Sequence, residues 1–264
     1  MTKIRFLAVL LGAAALGACE KNAVQDITKP ISGGAFVRFQ NYSVSAPGVN
    51  FYANDQKVTA ISATTCTPAT DPRCSTTGIE STTGVVYGAS ANGGNYAMLA
   101  PGQYTISSRI AAATDNGLSI TTTPTTLVEG KFYTYFTSGI YNPTAKTTDA
   151  FIVEDNLPTT FDYTKALIRI VNASANAPTI TAGLQLQGGT EVVTVATNLA
   201  YKSASQFVTV APGLTDIAVI IGTSATVFKG VSLLGGHVFT LAVRGDATST
   251  SSTTGLAVTG VANR

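Results

Sequence analysis

The chain has 264 residues, 45% hydrophobic and only 11% charged, with 16 Lys and Arg against 14 Asp and Glu. Lys3 and Arg5 are the only charged residues before Cys19, so the 246 residues after position 18 carry 14 charges of each sign and no net charge. Without a concentrated basic face there is no electrostatic case for binding a phosphate backbone, and no nucleic acid partner is expected.

In chain order, the first element is a charged start followed by an apolar run, Phe6 to Ala18, and a small-residue exit. That run is 13 residues long, whereas crossing a bilayer takes about 20. Residues 1–18 therefore read as a signal peptide. Leu16-Gly17-Ala18-Cys19 resembles the bacterial lipobox, which implies cleavage before Cys19 and lipid on its sulfur. The expected product is exported and anchored through lipid to the cell envelope, at the outer membrane, with residues 19–32 as a lipidated tether. Cysteine usage agrees, because an exported chain with three cysteines needs a separate role for one. Cys66 and Cys74 can pair in an oxidising compartment, or stand as two free thiols. Their bridge would contribute roughly 2 to 3 kcal/mol as a loop staple. It is not a redox pair, since the spacing is not Cys-x-x-Cys.

An internal repeat organises the rest. Phe36-Val37-Arg38-Phe39-Gln40-Asn41-Tyr42-Ser43 returns as Leu167-Ile168-Arg169-Ile170-Val171-Asn172-Ala173-Ser174, and Ala46-Pro47 as Ala177-Pro178, at an offset of 131. Ala100-Pro101-Gly102 matches Ala211-Pro212-Gly213 at 111, and Leu127–Gly139 matches Leu233–Gly245 at 106. The order is kept, so the chain is read as a first repeat, 33–158, and a second, 159–264. Falling offsets place the main insertion of the first repeat between Pro47 and Ala100, around Cys66 and Cys74.

Both repeats read as strands. Tyr104, Ile106, Ser108 and Ile110 alternate with Thr105, Ser107 and Arg109, and Val208, Val210, Ile217, Val219 and Ile221 form β-branched runs punctuated by glycine turns. Pro101-Gly102 and Pro212-Gly213 suit the centre of a type II turn. The fold class is all-β: two tandem immunoglobulin-like β-sandwiches, preferred to an outer-membrane barrel because uniform lipid-facing strands with aromatic girdles are lacking. Two such bodies are expected to fold separately, joined near Pro158–Lys165 with the acidic junction as a hinge.

The text Val37-Arg38-Phe39-Gln40-Asn41 with Ala46-Pro47, the segment Leu99–Ile106, Glu129–Thr134 and the ending Ile152-Val153-Glu154-Asp155-Asn156 resemble the domain-of-unknown-function family 4397, common in bacterial envelope lipoproteins. The resemblance implies no catalytic residues. It weakens after Pro47 and Pro178, where an acidic valine-rich strand is usual, and in the second repeat, where Thr259-Gly260-Val261 stands in place of the acidic ending.

Chemistry-bearing constellations are few. His237 is the only histidine, sits at a strand start aligned with Lys131, and reads as a solvated residue. Gly88-Ala89-Ser90-Ala91-Asn92 lacks the second glycine of a nucleophile elbow. Asn41-Tyr42-Ser43 and Asn172-Ala173-Ser174 match a glycosylation acceptor formally and read as turn residues. Asp149, Glu154, Asp155 and Asp162 are weak calcium candidates, against the plainer reading of a solvated polar linker. No metal and no cofactor are expected. Phe132 and Phe136, opposite in face to Tyr133 and Tyr135, are candidate ligand-facing aromatics, or pack beneath a neighbouring loop. The expected function is a non-catalytic envelope module for binding or adhesion, with the membrane as one partner and a glycan or envelope protein as another. The alternative is an envelope polymer hydrolase with a cleft at the junction, which would need two placed carboxylates.

Overall fold

The computed structural model describes residues 33–59, 84–160 and 162–263, and the backbone of two short strands at 74–75 and 78–79. Cys19, Cys66 and the Cys74 side chain, on which the lipid and disulfide expectations rest, lie outside the described residues.

The strands of the first repeat are β1 (Ala35–Asn41), β2 (Val49–Ala53), β3 (Gln56–Lys57), β4 (Cys74–Ser75), β5 (Gly78–Ile79), β6 (Ala89–Ser90), β7 (Ala97–Leu99), β8 (Gly102–Ile110), β9 (Ser119–Leu127), β10 (Phe132–Asn142) and β11 (Thr147–Glu154). The second repeat follows with β12 (Ala166–Ala175), β13 (Thr179–Leu186), β14 (Val192–Ala200), β15 (Ser203–Ala204), β16 (Val208–Val210), β17 (Gly213–Ile221), β18 (Ser224–Leu233), β19 (Val238–Asp246) and β20 (Ala257–Ala262). One sheet of the first repeat has the order β11-β10-β1-β6, with β7 also on β1, and the other β3-β2-β8-β9. The second repeat duplicates both plans, as β20-β19-β12-β15 with β16 on β12, and β14-β13-β17-β18. In each, the first strand runs parallel to the penultimate one, β1 beside β10 and β12 beside β19. The extra length of the first repeat falls between β3 and β6, where the second needs only two residues between β14 and β15.

Alternation along the strands sorts side chains into separate cores. Val37 and Phe39 of β1, Phe51 of β2, Ile106 of β8, Ile120 of β9 and Tyr135 of β10 fill the first sandwich. There Phe51 stacks on Phe39 at 5.1 Å and meets Tyr135 edge-on at 6.0 Å. Ile168 and Ile170 of β12, Ile180 and Leu184 of β13, Ile217 and Val219 of β17 and Leu241 of β19 fill the second. Each such side chain removed from water is worth roughly 1.5–3 kcal/mol.

The residues in between are buried as well. Every residue of β12 is buried, and so are Arg38, Gln40 and Tyr42. Strands covered on both faces must be interior, and here the cover is the other repeat. Tyr42, Phe136 and Phe151 of the first repeat form a third cluster with Val171, Ala173 and Ala242 of the second. The inner sheets thus meet face to face along a packed seam, and the expected hinge is not what the junction forms.

The expected type II turns are absent too. Gly102 and Gly213 are the first paired residues of β8 and β17, opposite Leu127 and Leu233. Their φ values of 149° and 140° depart from the roughly +80° of that turn. Glycine serves there as a strand start.

Candidate functional site

At the junction, backbone geometry places one carboxylate among the side chains of the seam. The Asp155 N–H donates to the Phe132 carbonyl at 2.7 Å, just past the end of β11. Alternation on β1, β10, β12 and β19 turns Arg38, Thr134, Arg169 and Thr240 toward the same seam. Asp155 is 2% exposed. Its Oδ1 accepts a hydrogen bond from Arg169 Nη2, and its Oδ2 accepts from Thr134 Oγ1 and from the Tyr96 hydroxyl, each at 2.6 Å. Arg38 Nη2 completes the group 3.8 Å from Oδ2.

Each guanidinium also reaches across to backbone of the other repeat. Arg38 Nη1 donates to the Ala262 carbonyl and Arg169 Nη1 to that of Glu154, both at 3.0 Å. Arg38 lies over the Tyr96 ring at 4.7 Å, and Arg169 over Phe207 at 5.0 Å. Stripping charges of water costs several kcal/mol per ion, offset only when donors and acceptors are well matched. The match is incomplete, because Arg38 Nε is buried without a hydrogen-bond partner. Burial, and after it the nearby Asp155 charge, hold the Tyr96 phenol far above its ordinary value, so it stays a neutral donor.

Outside this buried group the junction opens into a hollow of about 630 Å³, within the size range of small-ligand sites. Its wall includes Glu129, Lys131, Phe132, Glu154, Leu157 and Asn263. Lys131 Nζ donates to Glu154 Oε1 at 2.8 Å, and that hydrogen bond raises the lysine above its ordinary value. The Phe132 ring stacks on Phe36 at 4.6 Å and meets Tyr96 edge-on at 5.2 Å. An aromatic edge, the carboxylates of Glu129, Glu154 and Asp155 and the Asn263 amide give this hollow groups able to hold a polar ligand.

The residues singled out by sequence are dispersed. Asp149 pairs with Lys202 at 2.9 Å and accepts from the Tyr201 hydroxyl at 3.3 Å. Asp162 accepts from the Thr164 amide and hydroxyl at 2.8 and 2.7 Å, which lowers its pKa. With Glu154 on Lys131 and Asp155 on the arginines, the four candidate calcium ligands each serve a separate partner. Among the described residues no three of His, Cys, Asp and Glu come together as a metal cluster.

Phe136 is corrected from ligand-facing to seam-buried: 1% exposed, it stacks on Phe151 at 4.9 Å. Phe132 alone of that pair reaches the hollow. His237 lies beside Phe239, 5.9 Å between ring centres. The two N-x-S asparagines are also corrected, from turn residues to fully buried ones. Asn41 accepts from the Ser43 amide and donates to the Val85 carbonyl, while Asn172 accepts from Ser174 and donates to Ala177 and Leu199. Missed altogether were Arg38, Arg169, Thr134, Tyr96 and Asn263. The available signal was arginine at the same place in both repeats, with an apolar residue on either side of it.

The profile of the family described as Domain of unknown function (DUF4397) matches residues 35–183, the first sandwich and the opening of the second. No curated protein matches the sequence. Among solved structures, the C-terminal domain of AlgF from P. aeruginosa is similar at 25% identity and a TM-score of 0.27, over 38% of this chain and 99% of that one. The Bacillus anthracis TIE protein is similar at 10% identity and a TM-score of 0.22, over 81% of this chain and 34% of that one. A candidate cell adhesion protein from Bacteroides ovatus is similar at 13% identity and a TM-score of 0.23, over 86% of this chain and 95% of that one.

Proposed function

The chain belongs to the DUF4397 family, and on that premise we propose that it is a non-catalytic, lipid-anchored module of the bacterial cell envelope, which presents a rigid double sandwich for binding. The observation that carries this reading is the use made of the repeated polar residues. Arg38 and Arg169, Asn41 and Asn172, and Thr134 and Thr240 are all buried and engaged inside the body. The duplication thus builds a stiff carrier, and the surface left to the hollow and the outer sheets does the contacting. The signal segment and the Leu16-Gly17-Ala18-Cys19 end support placement at the membrane, with residues 19–32 as the tether.

Two acyl chains already give stable anchoring, at about 0.8 kcal/mol per buried CH₂. Metabolic labelling with a fatty acid should mark the wild type and leave Cys19→Ser unmarked and out of the membrane fraction. Labelled Cys19→Ser protein would refute the anchor. For the binding half, a glycan panel and an envelope extract should retain the wild type and lose Phe132→Ala, since Phe132 lies in the wall of the hollow; equal retention would move the contact elsewhere.

The hydrolase alternative draws on Glu129 and Glu154, two carboxylates on one concave wall. It would be selected by release of sugars from envelope polymer that is abolished in Glu154→Gln.

A further inference from the structure

The seam contacts come in pairs that exchange under one operation. Arg38 corresponds to Arg169 at the offset of 131, Tyr96 to Phe207 at 111, and Thr134 to Thr240 at 106. The two arginine-to-carbonyl bonds correspond as well: Glu154 opposes Tyr133 in the β10–β11 ladder as Ala262 opposes Phe239 in β19–β20. The next residue along is Asp155 in one repeat and Asn263 in the other. Their backbone amides make the same bond, Asp155 to the Phe132 carbonyl at 2.7 Å and Asn263 to that of Val238 at 2.6 Å. Their side chains take the same partner, Thr134 to Asp155 at 2.6 Å and Thr240 to Asn263 at 2.7 Å. Asn263 therefore occupies the seat of a second carboxylate.

We infer that the seam is a self-complementary docking surface, with the partner supplied by the second repeat of the same chain. Each repeat offers an arginine to the seat that follows the last strand of the other, as in the isologous contact of a twofold dimer. In this chain one of the two seats holds an amide. That asymmetry accounts for two oddities: two guanidiniums share one carboxylate, and Arg38 is the less satisfied, 3.8 Å from Asp155 with its Nε unpartnered. Arg169 has the closer carboxylate contact because the acid follows the strand whose carbonyl Arg169 already holds.

Equivalent seats mean that the acid functions from either one. Tyr96 lies between them, donating to Asp155 at 2.6 Å and accepting from Asn263 Nδ2 at 2.9 Å. Exchanging acid and amide reverses the direction of its hydroxyl, and with it that of Thr134, which donates to the same Asp155 oxygen.

The test exchanges them in the full chain. Asp155→Asn alone should lower the thermal midpoint by about 10 °C, the scale for a broken buried pair in a body this size. The double variant Asp155→Asn with Asn263→Asp should recover at least half of that loss. Dependence on the arginines should also invert: Arg169→Gln costs more than Arg38→Gln in the wild type, and less in the exchanged protein. Should Asp155→Asn fail to fold, a folded double variant carries the same result. A double variant no more stable than Asp155→Asn, an unaltered arginine order, or an Asp155→Asn midpoint equal to wild type would overturn the proposal.

Discussion

The rim of the hollow and the seam behind it use the same chemistry to different ends. Glu154 holds Lys131 at 2.8 Å with side chains 35% and 50% exposed. One residue later Asp155 holds two arginines with no side-chain exposure and 1% and 3% on the arginines. At the rim, water stabilises each charge almost as well as its partner does, so such pairs are worth between zero and about 1 kcal/mol. In the seam the charges are almost entirely stripped of solvent, and removing one partner leaves a buried charge uncompensated. A single step along the chain separates an adjustable contact surface from a fixed joint.

The sharpest way to break that comparison is Arg169→Met, which keeps the bulk and removes the charge. It should cost about 4 kcal/mol in chemical denaturation; a loss below 1 kcal/mol would put the seam in the rim's class. Phe136→Ala should follow at about 3 kcal/mol, because the cavity opens between two packed sheets and cannot refill. Its chevron, or any other measure of stability, should show the loss without a change at the hollow. Glu154→Gln belongs at the small end, within about 0.5 kcal/mol, and a larger effect would show the rim to be structural.

Smallest of all at neutral pH is Tyr42→Phe, since the Tyr42 hydroxyl is buried without a partner. Burial holds that phenol far above its ordinary value despite the nearby Arg244 charge. With the folded pKa above the unfolded one near 10, its contribution to stability is complete below about pH 10 and is lost as pH climbs beyond it. Tyr42→Phe should therefore flatten the alkaline fall in stability and leave the midpoint at pH 7 equal to or above that of the wild type, as alkaline titration of unfolding would show.

Much of the fold was legible because its causes are local. Strand alternation at Tyr104–Ile110 and the repeat at three falling offsets led to two sandwiches. The seam was not legible from alternation. Arg38, Thr134 and Arg169 occupy positions that a half-buried strand would give to solvent, and only the packing of one repeat on the other buries them. The mostly apolar text of Ala166–Ala175, interrupted by Arg169, Asn172 and Ser174, was the overlooked sign of a strand covered on both faces. Acid at Asp155 looked like linker because the residues around it are acidic or polar, and nothing local distinguishes it from Glu154. Of the residues singled out by sequence, Phe132, Glu154 and Asp155 line one hollow; Phe136 does not, because its outward direction leads into the other repeat.

The buried joint makes the two sandwiches into one cooperative body. Differential scanning calorimetry of the full chain tests it most directly, by comparing the van't Hoff and calorimetric enthalpies. A single transition with equal enthalpies, splitting into two in Arg169→Met, is the expected result. Two resolved transitions in the wild type, each with the enthalpy of one repeat, would contradict it.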